Sequence, residues 1–193
     1  LERTTNGSFI SQISNISVLT DLTFPSFYMA AQQIRIWDCP DLQTFSFPAL
    51  LSLDEPLSIA GNAALTSFSM TNLTSFNPTT GEAITIENND SLTTFNLASL
   101  QIFDNSSNFT ILNNDALTSL PDLGALQSVQ GILTIDGNAL TSLSGFDALT
   151  YVGSLTIQNN YDLTSVSLGL SSVGLTVNYL TINNNDNLTN LTG

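Results

Sequence analysis

The stretch LTIQNNYDLTSV, residues 155–166, decides the fold, because related stretches recur along the whole chain. The other copies are LTINNNDNLTNL from Leu180, LTIDGNALTSL from Leu133, FTILNNDALTSL from Phe109, ITIENNDSLTTF from Ile84, LSIAGNAALTSF from Leu57 and IRIWDCPDLQTF from Ile34. In chain order their starts follow a period of about 24 residues, within the range that is typical of repeat proteins. Such a period predicts a solenoid, in which each copy is one coil stacked on its neighbours.

Each copy has the pattern of a short strand followed by a turn. Apolar residues alternate with polar ones, as Leu155 and Ile157 do around Thr156, so the apolar side chains should fill a common interior while the Thr faces solvent. An Asn follows in most copies, and its amide can satisfy backbone groups that a turn leaves unpaired. This predicted structural Asn column consists of Asn62, Asn89, Asn114, Asn138, Asn160 and Asn185. The pattern therefore predicts a mainly β solenoid of seven or eight coils.

A weaker first coil precedes the clear repeats. Counting back one period from Ile34 places Ile10, Asn15 and Val18 in the strand, Asn and Leu positions. Gln12 then occupies a position where an apolar residue is expected. With this coil included, the whole chain divides into eight coils of about 24 residues each.

The repeats predict one solenoid domain over residues 1–193, with a weak first coil in 1–33 and clear repeats in 34–193. The distance from Leu180 through the C-terminus to Ile10 of a following copy equals an ordinary repeat spacing. Solenoids normally shield their end coils. We therefore expect either that neighbouring coils of a longer chain cover the ends or that copies associate end to end.

Composition and charge favour an extracellular protein and argue against several partners. Hydrophobic residues make up 42% of the chain, charged residues only 9%, and the net charge is −14. Such a charge argues against nucleic acids and anionic membrane surfaces. No apolar run is long enough to cross a bilayer. The single Cys39 cannot form an internal disulfide, and its place in the Asn column predicts a buried side chain.

Eight Asn-x-Ser/Thr sequences are candidate N-glycosylation sites. They begin at Asn6, Asn15, Asn72, Asn89, Asn105, Asn108, Asn187 and Asn190. Asn15 and Asn89 fall in the inward column, where a glycan should be blocked. Asn72, Asn105 and Asn108 lie in coil segments of variable length, where protruding loops should be accessible. We predict glycans at these three positions.

The repeat pattern also resembles a known family. Leu-x-Ile-x-x-Asn-x-x-Leu-Thr-Ser, with Val129, Gly131 and Leu133 or Val152, Gly153 and Leu155 ahead of it, resembles the receptor L-domain branch of leucine-rich repeats. It is most similar to GPI-anchored cell-wall proteins of fungi and to related surface proteins of protists. The resemblance covers about residues 34–191 and implies a right-handed solenoid with parallel sheets, secretion and a role at the cell surface.

Acidic residues give the only candidates for catalysis or metal binding. Asp90 and Asp115 follow the Asn column on adjacent coils, about 4.8 Å apart in such a stack. They are a weak candidate calcium site, because hard cations favour oxygen ligands. The column is broken by Ala139 and Tyr161, and the chain contains neither Lys nor His. We therefore predict a non-enzymatic chain with no catalytic residues and no cofactor, in which these carboxylates are solvated turn residues.

The outward Thr column raises the question of ice binding, which in other β-solenoids uses two regular ranks of hydroxyls. The neighbouring outward rank is irregular, so strand propensity explains the Thr residues better. That rank reads Trp37, Ala60, Glu87, Leu112, Asp136, Gln158 and Asn183.

Two function classes remain. The first is a structural glycoprotein of cell wall, matrix or surface filament, which could assemble head to tail. The alternative is a ligand-binding receptor or adhesin ectodomain. A binding face should carry clustered aromatic or charged residues, and only Trp37, Tyr161 and Tyr179 indicate one, on different coils. The sequence therefore favours the structural class.

Overall fold

The computed structural model describes residues 12–30, 33–78, 83–121, 123–168 and 174–192, which contain strands and turns but no helix. In chain order the strands are β1 (Gln12–Ser14), β2 (Asp21–Thr23), β3 (Met29–Ala30), β4 (Ile34–Trp37), β5 (Thr44–Ser46), β6 (Ser52–Leu53), β7 (Leu57–Ala60), β8 (Ser67–Ser69), β9 (Ser75–Phe76), β10 (Ala83–Glu87), β11 (Thr94–Asn96), β12 (Ile102–Phe103), β13 (Asn108–Leu112), β14 (Ser128–Asp136), β15 (Ser142–Leu143), β16 (Tyr151–Gln158), β17 (Ser165–Ser167), β18 (Thr176–Asn183) and β19 (Asn190–Thr192). The described strands pair in parallel. The predicted β-solenoid with parallel sheets is confirmed.

Each coil crosses three walls. The first wall consists of β1, β4, β7, β10, β13 and the C-terminal parts of β14, β16 and β18. The second wall contains β2, β5, β8 and β11, and later β15, β17 and β19. The third wall contains β3, β6, β9, β12 and the N-terminal parts of β14, β16 and β18. The later coils therefore pass from third to first wall in one long, bent strand.

The register of the first wall reproduces the sequence repeat. Ile59 pairs with Ile36 and with Ile86, and the same apolar column continues to Ile157 and Ile182. Each member of this column comes from one copy of the repeat, so one copy makes one coil, as predicted. In-register stacking keeps this column on the inner face, because a slip of one residue would turn its side chains to solvent.

The first coil is present, but its register differs from the prediction. Ile13 pairs with Ile36, whereas the predicted alignment puts Gln12 there, one position earlier. Asn15 therefore does not enter the inward Asn column: it is exposed, with a φ of 56°. Val18 is 83% exposed, and the partly buried Leu19 packs against the core in its place. Ile10 lies outside the described residues.

A continuous apolar core runs through the coils from Ile34 to Leu168. On the second wall Phe45, Phe68 and Phe95 stack in successive coils, with ring centroids 4.9 and 5.2 Å apart. Complete burial of one such side chain contributes roughly 1.5–3 kcal/mol. The core thus provides a stabilising contact between every pair of adjacent coils.

A left-handed turn residue ends each strand of the first wall. Asn and Asp adopt this conformation at the lowest cost among residues with a side chain, and glycine adopts it freely. The residues are Asn15, Asp38, Gly61, Asn88, Asn113, Gly137, Asn159 and Asn184, with φ between 51° and 66°. This requirement explains the first Asn of the recurrent Asn-Asn pair.

The glycines that lie two residues ahead of Leu133 and Leu155 have their own structural cause at the corner between third and first walls. A Cβ atom on Gly131 would lie 2.4 Å from both Asn108 Oδ1 and the backbone oxygen of Ser106. One on Gly153 would lie 2.4 Å from the backbone oxygen of Gln130. Glycine is needed here because adjacent coils approach too closely for any side chain.

Candidate ligand-binding cleft and asparagine ladder

The six Asn side chains of the predicted column lie in the interior. Their exposed fractions range from 0% to 8%. Each follows the left-handed residue, which directs the next side chain inward at the end of the first wall. We refer to Asn62, Asn89, Asn114, Asn138, Asn160 and Asn185 as the Asn ladder.

Asn114 illustrates the hydrogen bonds of the ladder. Its Nδ2 donates to the backbone oxygens of Ile86 and Leu112, both at 3.1 Å. Its Oδ1 accepts a bond of 3.3 Å from the backbone N–H of Asn89 on the preceding coil. The same pattern recurs at the other members, so the buried amides join the coils through their backbones. The ladder is therefore a structural device.

Cys39 occupies the ladder position of its coil and is fully buried. Its backbone N–H donates to Asn62 Oδ1 at 3.1 Å. Its Sγ lies 3.8 Å from the backbone oxygen of Ile13 and 3.6 Å from that of Trp37. The thiol thus faces the two carbonyls that an Asn amide would bind.

The candidate calcium residues Asp90 and Asp115 are both exposed turn residues. In the described part of the chain, no group of three Asp, Glu, His or Cys residues is placed to hold a metal ion. Nor does any helix in those residues have the length and apolar character needed to cross a bilayer.

The candidate glycosylation residues occupy three different environments. Asn72 is an exposed turn residue whose Nδ2 donates once, to the Pro48 oxygen at 2.7 Å. Asn105 is also exposed, but its Nδ2 donates twice, to Asn77 Oδ1 and the Pro78 oxygen. An attached glycan replaces one of the two hydrogens of Nδ2. The other hydrogen at Asn72 can keep the bond to the Pro48 oxygen.

The loop position predicted for Asn108 is wrong. Asn108 begins strand β13, is partly buried, and its Oδ1 accepts a 2.8 Å bond from the backbone N–H of Ile132. The prediction failed because the variable loop ends before this residue. Conversely, the exposure of Asn15 removes the reason for excluding a glycan there, whereas Asn89 is 0% exposed.

A cleft of about 350 Å³ crosses the outer face of the first wall. Strand β7 forms its floor with two small outward residues, Ser58 and Ala60. On one side Trp37 of β4 lies directly beside Ala60, and on the other side Glu87 of β10 lies beside the same residue. The remaining lining includes Gln33, Arg35, Pro56, Leu57, Ala83 and Thr85. The irregular outward rank thus creates a concave site.

Opposite charges lie in this cleft without pairing. Arg35 is exposed, and Glu87 is partly exposed on the strand two positions away. Among the described residues no side chain forms an ion pair with Glu87 or hydrogen-bonds its carboxylate. The Trp37 side-chain nitrogen Nε1 is buried and has no hydrogen-bond partner. Unused polar groups beside an aromatic wall are typical of a small-molecule site.

A second cleft, at the turns of the later coils, is chemically different. It includes Tyr161 and Asp136. Gln158 Nε2 donates to one Asp136 oxygen at 2.7 Å and Asn159 Nδ2 donates to the other at 2.8 Å. This carboxylate already joins adjacent coils, so its role is structural.

The three aromatic residues singled out by the sequence do not form one patch. Tyr161 lies in the second cleft, and Tyr179 is 74% exposed on β18, the last strand of the first wall. The partners of Trp37, which are small or charged residues from two other coils, were not predicted from the sequence. Their alignment follows from the repeat register, which was the available signal.

Sequence reasoning also missed the Thr that follows the core Leu in most repeats. Thr66 Oγ1 donates to the Gln43 oxygen, and Thr93 Oγ1 donates to the Thr66 oxygen, both at 3.1 Å. Thr141, Thr164 and Thr189 make equivalent bonds to the preceding coil. These hydroxyls form an exposed counterpart of the Asn ladder.

No protein-family profile, curated protein or solved structure matches the chain. The receptor L-domain resemblance therefore remains an interpretation of the repeat pattern.

Proposed function

We propose that the chain is a non-enzymatic, extracellular structural glycoprotein of a cell wall, matrix or surface filament, in which copies stack end to end. The observation that carries the proposal is the apolar surface of the last described coil. There Leu180 and Leu191 are 51% and 54% exposed, although their column mates Leu155 and Val166 are buried. A further coil packed on this surface would bury them.

The first described coil offers a matching surface. Ile16 and Val18 are 39% and 83% exposed, and Ile13 is only partly buried. Ile13 and Ile182 belong to the same column of the first wall. A second copy placed with β1 against β18 would continue that column and pair the edge of β18 that no described strand covers.

Surface chemistry supports the extracellular part of the proposal. Lys and Arg number 2 in 193 residues, and Asn-x-Ser/Thr sequences are frequent. Exposed side chains such as Asn72 are accessible to a glycosyl transferase. A glycan coat on the sides of the coils would leave the two ends free to associate.

The proposal is tested by electron microscopy of the purified chain, with its mass measured in solution over a range of concentrations. We expect filaments with an axial repeat of about 38 Å, from eight coils at the strand spacing. Leu180→Lys should shift the mass to that of one chain. The matched control Thr134→Lys adds the same charge to an outward position two coils away from β18 and should leave assembly unchanged.

Single chains at all concentrations, or equal effects of both variants, would overturn end-to-end stacking. The second candidate function, a ligand-binding receptor or adhesin ectodomain, would then be favoured. The cleft between Trp37 and Glu87 is the observation that favours it.

A further inference from the structure

We propose that the cleft on the first wall binds one unit of an uncharged saccharide chain. The inference does not depend on end-to-end assembly, because the cleft lies on the side of the coils at β4, β7 and β10. It extends the structural proposal by giving the solenoid a wall or matrix glycan to hold.

The shape of the cleft suits a ring about one coil thick. Ser58 and Ala60 form a low floor, while Trp37 and Glu87 stand on strands one position to either side. At a strand spacing of about 4.8 Å these two walls are roughly 10 Å apart. The volume of about 350 Å³ is at the small end of the range for ligand sites. The open ends of the cleft would let a longer chain extend beyond the bound unit.

The lining matches both kinds of surface that a pyranose ring carries. Its C–H face is apolar and can pack on the indole of Trp37, which buries a large area at low entropic cost. Its hydroxyl groups both donate and accept: the Glu87 carboxylate provides an acceptor and the Arg35 guanidinium provides donors. Bonds to charged groups are the stronger class of hydrogen bond.

Charge balance favours a neutral ligand over an ionic one. The cleft contains one cation, Arg35, and one anion, Glu87, on a chain whose net charge is −14. A carboxylated or sulfated ligand would meet repulsion from Glu87 and from the chain as a whole. A cationic ligand would meet the only guanidinium among the described residues. A polyhydroxylated, uncharged ligand uses both groups without a charge mismatch.

Glu87 is free to take this role, in contrast to the carboxylate of Asp136. Both residues occupy the same outward rank, but Asp136 accepts bonds from Gln158 and Asn159. Among the described residues Glu87 has no such side-chain partner. A ligand hydroxyl would satisfy the partly exposed Glu87 carboxylate, which the protein leaves without a side-chain partner.

The chain contains one Trp, so fluorescence excited selectively at Trp reports on this cleft. The test titrates the Leu180→Lys chain, which keeps the protein dispersed, with cellohexaose, laminarihexaose, mannohexaose and N-acetylchitohexaose. We expect a saturable change in intensity or wavelength with at least one of them. Glu87→Gln should raise the dissociation constant about fivefold or more, from a weakened charged hydrogen bond. Ala60→Leu, which fills the floor, should abolish the response.

Thr134→Val is the matched control, because it alters an outward position of the same wall outside the cleft and should bind normally. Circular dichroism spectra must agree among the variants. No response to any of the four sugars would overturn the proposal, as would equal binding by Ala60→Leu. Saturation by an acidic oligogalacturonide alone would equally refute a neutral ligand. These results are independent of filament formation, so the two proposals fail separately.

Discussion

Replacement of Asn114 by Ala tests the Asn ladder at its centre. The substitution removes two donors to backbone oxygens, from Ile86 and Leu112, and the acceptor for the backbone N–H of Asn89. The Leu112 oxygen keeps a second bond, from the Asn88 N–H at 3.0 Å. Among the described residues the Asn89 N–H has no acceptor other than Asn114 Oδ1, so it would become a buried, unpaired donor.

The expected loss of stability follows from these partners. A buried donor left unpaired costs about 1–3 kcal/mol, and each lost bond to a carbonyl that keeps another partner costs about 0.5–1.5 kcal/mol. The side chain is 0% exposed, so its removal also leaves a small void. We expect the free energy of unfolding to fall by about 3–5 kcal/mol.

The neighbouring residue provides a matched control. Asn113→Gly alters an exposed side chain in the left-handed position, with a φ of 52°, where two other coils already carry Gly61 and Gly137. Its stability should change by less than about 0.5 kcal/mol. The two substitutions affect adjacent residues but opposite sides of the coil wall.

Urea unfolding followed by far-ultraviolet circular dichroism measures both variants, and hydrogen exchange at the Asn89 amide gives a local readout. That amide should exchange faster in Asn114→Ala than in Asn113→Gly. If Asn114→Ala lay within about 1 kcal/mol of its neighbour, with unchanged exchange at Asn89, the ladder would not be what joins the coils.

Five further substitutions test the ladder position of the second coil, a close contact between coils and the candidate glycosylation sites. Cys39→Asn should raise the free energy of unfolding by about 1 kcal/mol, because the new Asn amide would bind the two carbonyls that Sγ now faces. Urea unfolding measures this change, and a decrease would contradict the prediction. Gly131→Ala should lower it by about 2 kcal/mol or more, since the new Cβ would lie 2.4 Å from two oxygens, and unchanged unfolding would contradict the close approach. In a secreting eukaryotic host, Asn72→Gln and Asn105→Gln should each remove a glycosidase-sensitive mass, whereas Asn108→Gln should not, and the reverse pattern would be evident by mass spectrometry.

The sequence predicted the fold well because each repeat contains the same pattern of interacting residues. Leu155 and Ile157 alone are compatible with many strands, but seven aligned copies determine the period, the inward face and the register. The first coil was misplaced by one position because it has only one well-preserved anchor, Ile13, and coil lengths vary. This shift of one position is the reason why Asn15 was predicted to point inward but is exposed.

The cleft could not be predicted in the same way. It depends on Ala60 being small, while Trp37 and Glu87 beside it are large, and these residues are separated by whole coils. Each is ordinary within its own repeat, and only their alignment across three strands makes a concave site. A repeat analysis averages out the departures from consensus that create such a feature.

The Asn ladder also determines how strong an end-to-end junction would be. At the position of the ladder in the first coil stands Ile16, directly after the left-handed Asn15. A second copy stacked on β18 would therefore offer no side-chain acceptor to the backbone N–H of Asn185. The junction would have apolar contacts and strand pairing but no buried amide, so it should be weaker than the steps that the Asn ladder joins. Ile16→Asn would supply that amide, and we expect it to lower the concentration at which copies assemble by about fivefold or more, from one added buried hydrogen bond. Light scattering measures this concentration directly. An unchanged or higher value, in a variant that still folds, would show that the ends do not meet in this register.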